Sequence, residues 1–146
     1  MNHEIIAAGK PALKYAKDGT AEYLKRLQRY GNYKLTHIKD GSSEDVSKRL
    51  LEASKGTVRI AMDERGVTPT TGELVQLYNK WEMRGFKNVT FLIGASDGHT
   101  QELRDEADLV LSLSSLTMMH ELALVVLLEQ IYRVATIKRG EPYHRE

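Results

Sequence analysis

Residues 57–98 read TVRIAMDERGVTPTTGELVQLYNKWEMRGFKNVTFLIGASDG, and this stretch decides the fold. Thr57–Met62 is a short run rich in β-branched and apolar residues, closed by Asp63, and predicts a strand. Thr70-Thr-Gly-Glu73 has the spacing of a capping box, in which a hydroxyl and a carboxylate each satisfy a free amide at a helix start. The helix it opens runs to about Arg84. Leu74, Leu77, Tyr78 and Trp81 share one face of it, and Gly85 stops it. Asn88–Ile93 is apolar again and ends in Gly94. A helix of that length between two strands is a crossover that sets the strands parallel.

The same alternation extends both ways. Glu4–Ala8 predicts a strand closed by Gly9, and Leu13–Tyr30 a helix with Leu13, Ala16, Tyr23, Leu24, Leu27 and Tyr30 at helical spacing. Tyr33–Ile38 predicts a second strand, and Ser43 a cap for a helix over Glu44–Ser54 that turns Val46, Leu50 and Leu51 inward. Beyond Gly98, Thr100–Glu106 predicts a short helix, Leu109–Leu113 a fifth strand, and Met119–Lys138 a long helix that is apolar almost all round. Pro142 bars further helix. The pattern predicts one α/β domain over residues 1–146, a mostly parallel five-stranded sheet with helices on both faces. Ligands of such sheets bind beyond the carboxyl ends of the strands. Those ends are Gly9-Lys10, Met62-Asp63, Gly94–Gly98 and Ser114–Thr117.

Composition narrows the function. With 41% hydrophobic and 28% charged residues, the 146-residue chain can bury a core. Cysteine is absent, so disulfides, thiolate nucleophiles and cysteine-bound zinc are excluded. The apolar run Leu122–Leu128 is far short of the roughly 20 residues of a membrane span, and the apolar stretch at the N-terminus is too brief for a signal peptide. The expectation is a soluble cytoplasmic protein with no membrane partner. No metal-ligand spacing, P-loop, dinucleotide fingerprint or nucleophile elbow appears, and no metal is expected. The net charge of +1 hides an uneven distribution. Between Lys10 and Lys34, seven basic residues face two acidic ones, an excess of +5. A basic helix can track a phosphate backbone, although a solvated charged face explains most such runs.

Several clusters carry chemistry. The Gly94-Ala-Ser-Asp-Gly98 loop lets a ligand approach the backbone. Ser112–Met119 pairs a strand end with hydroxyls and two methionines, and reads equally as a helix start capped by Thr117. Two such loops side by side would frame a pocket for an adenosine-like ligand. His120 opens the last helix. Glu129 and Arg133 stand one turn apart, and from sequence alone they read as a solvent-side pair. Asp63 and Glu64 sit at a strand end, and nothing in the sequence gives them a partner. The tail Lys138–Glu146 gathers Tyr143, His144 and Arg145, a mixture that single-stranded RNA sites use, yet a frayed terminus reads the same way.

Taken together, these segments resemble the RlmH family of bacterial ribosomal RNA large-subunit methyltransferases, within the SPOUT superfamily. The matching features are Ile6-Ala-Ala-Gly-Lys10, Glu22-Tyr-Leu-Lys-Arg-Leu27, Ala61-Met-Asp63 with Gly66, and Phe91-Leu-Ile-Gly94 with Asp97-Gly98. Leu113-Ser-Ser-Leu-Thr117 with His120, Glu129-Gln-Ile-Tyr-Arg133 and Gly140-Glu-Pro-Tyr-His-Arg-Glu146 complete them, and the closing Pro-Tyr-His-Arg-Glu is the most specific.

The resemblance implies a parallel sheet with a C-terminal trefoil knot, which general topology rules would make improbable. It implies a homodimer, S-adenosylmethionine as methyl donor, and methylation at N3 of a pseudouridine in 23S rRNA of assembled ribosomes. The cofactor residues carried over are Met62, Gly94, Ala95, Ser114, Ser115, Leu116, Thr117, Met118 and Met119. His144 is expected to handle the N3 proton, Arg145 to meet rRNA or stabilise charge, and Tyr143 to stack. His120, Arg133 and Lys10 are the expected substrate contacts. The chain departs from the family at Ala95 (usually glycine), Met119 (usually proline) and Leu124 (usually arginine), and its stretch after Ile38 is shorter. Two alternatives stay open: a SPOUT enzyme with another RNA target, and a ribosome- or RNA-binding SPOUT protein without turnover.

Overall fold

The computed structural model describes residues 1–146. Five parallel strands alternate with five helices: β1 (Asn2–Ala8), α1 (Lys14–Leu27), β2 (Tyr33–Ile38), α2 (Ser43–Ala53), β3 (Val58–Val67), α3 (Thr71–Met83), β4 (Asn88–Ile93), α4 (Gln101–Glu106), β5 (Leu109–Leu111) and α5 (His120–Lys138). The sheet order is β2-β1-β4-β3-β5. It is parallel throughout, as the crossover lengths predict.

The two-residue period of the strands sorts side chains into two cores. Ile5, Ala7, Ile60 and Phe91 point to the face covered by α1, α3 and α5. Ile6, Ala8, Ala61 and Leu92 point to the other face, under α2 and α4. The larger core holds 19 buried residues, including Leu124, Leu127, Leu128 and Ile131 of α5. The all-round apolarity of α5 is thus used mainly within the subunit. Leu122 at its first turn stays exposed.

Local capping follows the sequence at α3. Thr70 Oγ1 accepts from the Glu73 amide at 3.1 Å, and Glu73 Oε1 accepts from the Thr70 amide at 2.9 Å. Four local expectations are corrected. Helix α2 is capped by Ser42, whose Oγ accepts from the Asp45 amide, and Ser43 is its first residue. Helix α5 starts after Met119 without a side-chain cap, and Thr117 donates instead to Glu64 Oε2 at 3.2 Å. Helix α5 is stopped by Gly140 at φ +70, two residues before Pro142.

The fourth correction concerns β3, which does not end at Asp63. It bulges and pairs with β5 a second time at Val67↔Leu111, and the Ser112 amide donates to the Val67 carbonyl at 2.8 Å. Gly66 makes this possible, because a Cβ there would collide with the backbone of Val110 and Leu111.

Candidate functional site

The carboxyl ends of β3, β4 and β5 converge on a cleft of about 460 Å³, within the range of small-molecule sites. Three pieces of chain wall it: Met62–Arg65 after the core of β3, Ile93–His99 after β4, and Leu111–His120 between β5 and α5. Ala123 closes the α5 side. Of the residues carried over for the cofactor, Met62, Gly94, Ala95, Ser114, Leu116, Thr117, Met118 and Met119 line this cleft, and so does His120. Ser115 is exposed and lies outside the lining.

The two loops suit a polar, flat ligand. The amides of Gly94–Asp97, Leu113–Ser115, Thr117 and Met118 make no hydrogen bond within the protein, whereas the Leu116 amide donates to Ser114 Oγ at 2.9 Å. Such free donors beside small side chains form a cradle for an oxygen- or nitrogen-bearing ligand. Ala95 sits there without strain. No non-glycine residue has positive φ, and Ala95 packs into the smaller core with Leu92 and Leu103. Leu124, in place of the family arginine, is 3% exposed in the larger core.

Gly94 has a different reason than expected. Its missing side chain makes room for His99, since a Cβ would lie 2.8 Å from His99 Nδ1. His99 is 5% exposed, and its Nε2 lies 3.0 Å from the Leu92 carbonyl. The carbonyl can only accept, so Nε2 carries the proton and Nδ1 keeps a lone pair without a partner. Burial holds the imidazole below its ordinary pKa, opposed by the Leu92 carbonyl and the Asp63 charge. Nothing in the sequence pattern pointed to His99. The available signal was its place between a small-residue loop and the helix cap Thr100, which accepts from the Leu103 amide.

Asp63 does have partners. Its carboxylate, 3% exposed, lies 3.5 Å from Arg104 Nη1 and 3.3 Å from Arg65 Nη1, and accepts from the Arg65 amide at 2.9 Å. Arg104 also donates to the His99 carbonyl at 2.6 Å. The Thr117–Glu64 hydrogen bond joins the wall after β5 to the wall of β3.

Arg133 and the tail form a second cluster. Arg133 Nη2 donates to Glu129 Oε1 at 2.6 Å, in a half-buried pair and not a solvent-side one. Hydrogen bonding to Glu129 raises the Arg133 pKa. The tail is docked and not frayed. Tyr143 packs edge-on against Tyr132 at 4.7 Å between ring centres, stacks with Arg133 at 4.8 Å, and donates to Glu129 Oε1 at 3.3 Å. Burial, then a hydrogen bond with Tyr23, pushes the Tyr143 phenol up to about 12. Tyr30 donates to Glu141 Oε2 at 2.7 Å. His144 Nδ1 lies 3.1 Å from Arg133 Nη1; arginine can only donate, so this nitrogen is unprotonated and already engaged. Arg145 and Lys10 are exposed. This cluster sits six to ten residues along α5 from Ala123, about 9–15 Å from the cleft end. One subunit does not bring Tyr143, His144, Arg145 or Arg133 into its own cleft, and Lys10, just after β1, is likewise outside the lining.

Comparison with known proteins agrees with this geometry. Residues 1–144 match the family model described as "Predicted SPOUT methyltransferase". The chain is 43% identical to the ribosomal RNA large subunit methyltransferase H of Thermus thermophilus over 145 residues, 99% of each chain. It is 39% identical to the protein of that name from Deinococcus radiodurans, again over 99% of each. Among solved structures, a methylase family protein from Neisseria gonorrhoeae superposes with a TM-score of 0.59 at 16% identity, covering 99% of this chain and 86% of that one, a likeness of fold. By a family match over almost its whole length and relatives aligned end to end, the chain belongs to the SPOUT methyltransferase family.

Proposed function

We propose that this protein is an S-adenosylmethionine-dependent methyltransferase that modifies N3 of a pseudouridine in 23S rRNA of the assembled ribosome. The observation that carries the reading is the end-to-end similarity to large-subunit rRNA methyltransferases, on a chain whose cleft lies at the expected strand ends. The cleft fits the cofactor: small side chains, free amides and the apolar Met62, Leu116 and Met118 suit an adenosyl group with a charged tail. The loops 94–98 and 112–119 are where the family's trefoil knot would hold it. When bound, S-adenosylmethionine supplies an electrophilic methyl group. Met62, Gly94, Ala95 and Ser114–Met119 would hold it, with Ser115 at the rim.

The rest is done by this chain's own side chains. A homodimer is the natural assembly, because Leu13, Tyr15, Leu116, Met119 and Leu122 leave exposed apolar surface around the cleft end of α5. A two-fold partner would cover that surface and present its own tail to the cleft, which the subunit's own tail does not line. Tyr143 would stack on a base. Arg133 and Arg145 would stabilise the N3 anion that must form before methyl transfer. His144 takes the N3 proton only if its Nδ1 exchanges Arg133 for substrate, because that lone pair is occupied.

The test is mass spectrometry of 23S rRNA from a deletion strain, with methylation of those ribosomes by the purified protein. The expected result is loss of one methylated pseudouridine and its restoration in vitro. Cofactor binding without restoration would favour a shifted RNA target. Absence of cofactor binding would leave an RNA-binding module without turnover.

A further inference from the structure

None of the seven basic residues between Lys10 and Lys34 lines the cleft. Helix α1 runs alongside α5 in the same direction. At one end, Glu121 Oε1 accepts from the Ala12 and Leu13 amides at 2.6 and 3.0 Å. Midway, Gly19 lies against Val125. At the far end, Tyr23 and Tyr30 pack on Tyr132, and Arg139 donates to the Arg29 carbonyl at 3.2 Å. The inner face of α1, with Ala16, Thr20 and Leu27, is buried. At 3.6 residues per turn, Lys14 and Lys25 lie on the opposite face and Lys17 on its flank, all within about 80° of one another.

The 14 residues of α1 therefore carry a basic strip about 21 Å long, from the α5 end that opens the cleft to the end where the tail docks. Lys14 and Arg26 are paired with Asp18 and Glu22. Lys17, Lys25, Arg29 and Arg139 are exposed and have no carboxylate partner. At the tail end Tyr30 is flanked by two guanidinium groups, Arg139 at 4.6 Å and Arg29 at 5.9 Å from its ring centre. Stacked on an aromatic ring, a guanidinium is held in place yet keeps its N–H groups for phosphate oxygens.

We propose that the outer face of α1, continued by Arg29 and Arg139, is the track on which the rRNA backbone lies between cleft and tail. The inference rests on the proposed ribosomal substrate and adds the surface that receives it. Charge complementarity and spacing carry it: unpaired cations in a row suit a row of phosphates and read no sequence. The strip would thereby fix the register of the RNA while the cleft and tail select the nucleotide.

The experiment measures binding to 70S ribosomes from the deletion strain between about 50 and 200 mM salt, together with methylation of those ribosomes. Removing one cation that neutralises a phosphate should lower the salt slope by about 0.7–0.9. The triple variant Lys17→Ala/Lys25→Ala/Arg29→Ala should therefore lose about two units of slope and bind at least about tenfold more weakly, with S-adenosylmethionine affinity and melting temperature unchanged. Lys17→Arg/Lys25→Arg should keep the wild-type slope. Lys48→Ala/Lys55→Ala, exposed on the α2 side of the sheet, should have no effect. A triple variant with the wild-type slope, or an α2-side variant with an equal loss, overturns the track and leaves the methyltransferase reading intact. Wild-type protein that neither binds nor methylates these ribosomes overturns both.

Discussion

His3 gives a prediction that can be worked from geometry to a curve. It is the second residue of β1, 6% exposed, stacked on Tyr33 at 4.3 Å and on Tyr78 at 5.4 Å between ring centres. Neither ring nitrogen has a hydrogen-bond partner. Burial, helped by the α-ammonium of Met1, pushes its pKa from 6.5 down to about 4. The folded state thus holds His3 neutral where the unfolded chain binds a proton, so stability falls as pH drops from 6.5 to 4 and is unaffected above that window. With the imidazole at 6.5 unfolded and about 4 folded, at 1.36 kcal/mol per decade of proton affinity and less the half-titration at the lower end, the loss is about 3 kcal/mol between pH 7 and 4. That is a large part of the roughly 5–15 kcal/mol of a typical domain. His3→Phe keeps the stacked ring and removes the titration. Urea denaturation at half-unit steps should show wild type losing about 3 kcal/mol more than His3→Phe over that interval, with the two curves close at pH 7. Parallel curves for the two proteins would refute the claim that His3 is buried and unprotonated.

Three further outcomes follow from the site. Gly94→Ala should destabilise the protein by about 1–3 kcal/mol through its clash with His99, and Gly94→Ala/His99→Ala should recover part of that loss in a denaturant double-mutant cycle. Removing residues 143–146 should abolish ribosome methylation while cofactor affinity by calorimetry stays unchanged. It should also lower the melting temperature by a few degrees, because Tyr143 packs on Tyr132 and Arg133 and is not a free end. Leu122→Glu, on the exposed first turn of α5, should convert a dimer at micromolar concentration to a monomer by light scattering, with the fold retained by circular dichroism.

What the sequence discloses and what it hides divide by range. The crossover over residues 57–98, the capping box at Thr70, the helix stop at Gly85 and the inward Leu74, Tyr78 and Trp81 are all local patterns, and the structure repeats them. The bulge that carries β3 past Met62 is not local. It depends on Gly66 meeting the backbone of Val110, more than forty residues away, and a glycine after Asp63-Glu-Arg reads equally well as a turn. The tail reads as a loose end for the same reason. What docks it is Tyr30 with Glu141, 111 residues apart, and Arg133 with His144 across the turn that follows α5. The chemistry at Gly94 shows the limit most clearly. A glycine after a strand is legible as a close approach, but whether a ligand or a protein group approaches is decided by what the fold places there. Here His99 fills the space left by the missing Cβ. The Arg104 guanidinium ties the His99 carbonyl to Asp63, so the ends of β3 and β4 share one buried brace beneath the cleft. The walls of the cleft are then set by protein–protein contacts before any ligand arrives. That preorganisation lets small residues and free amides serve as a binding surface at little cost in ordering.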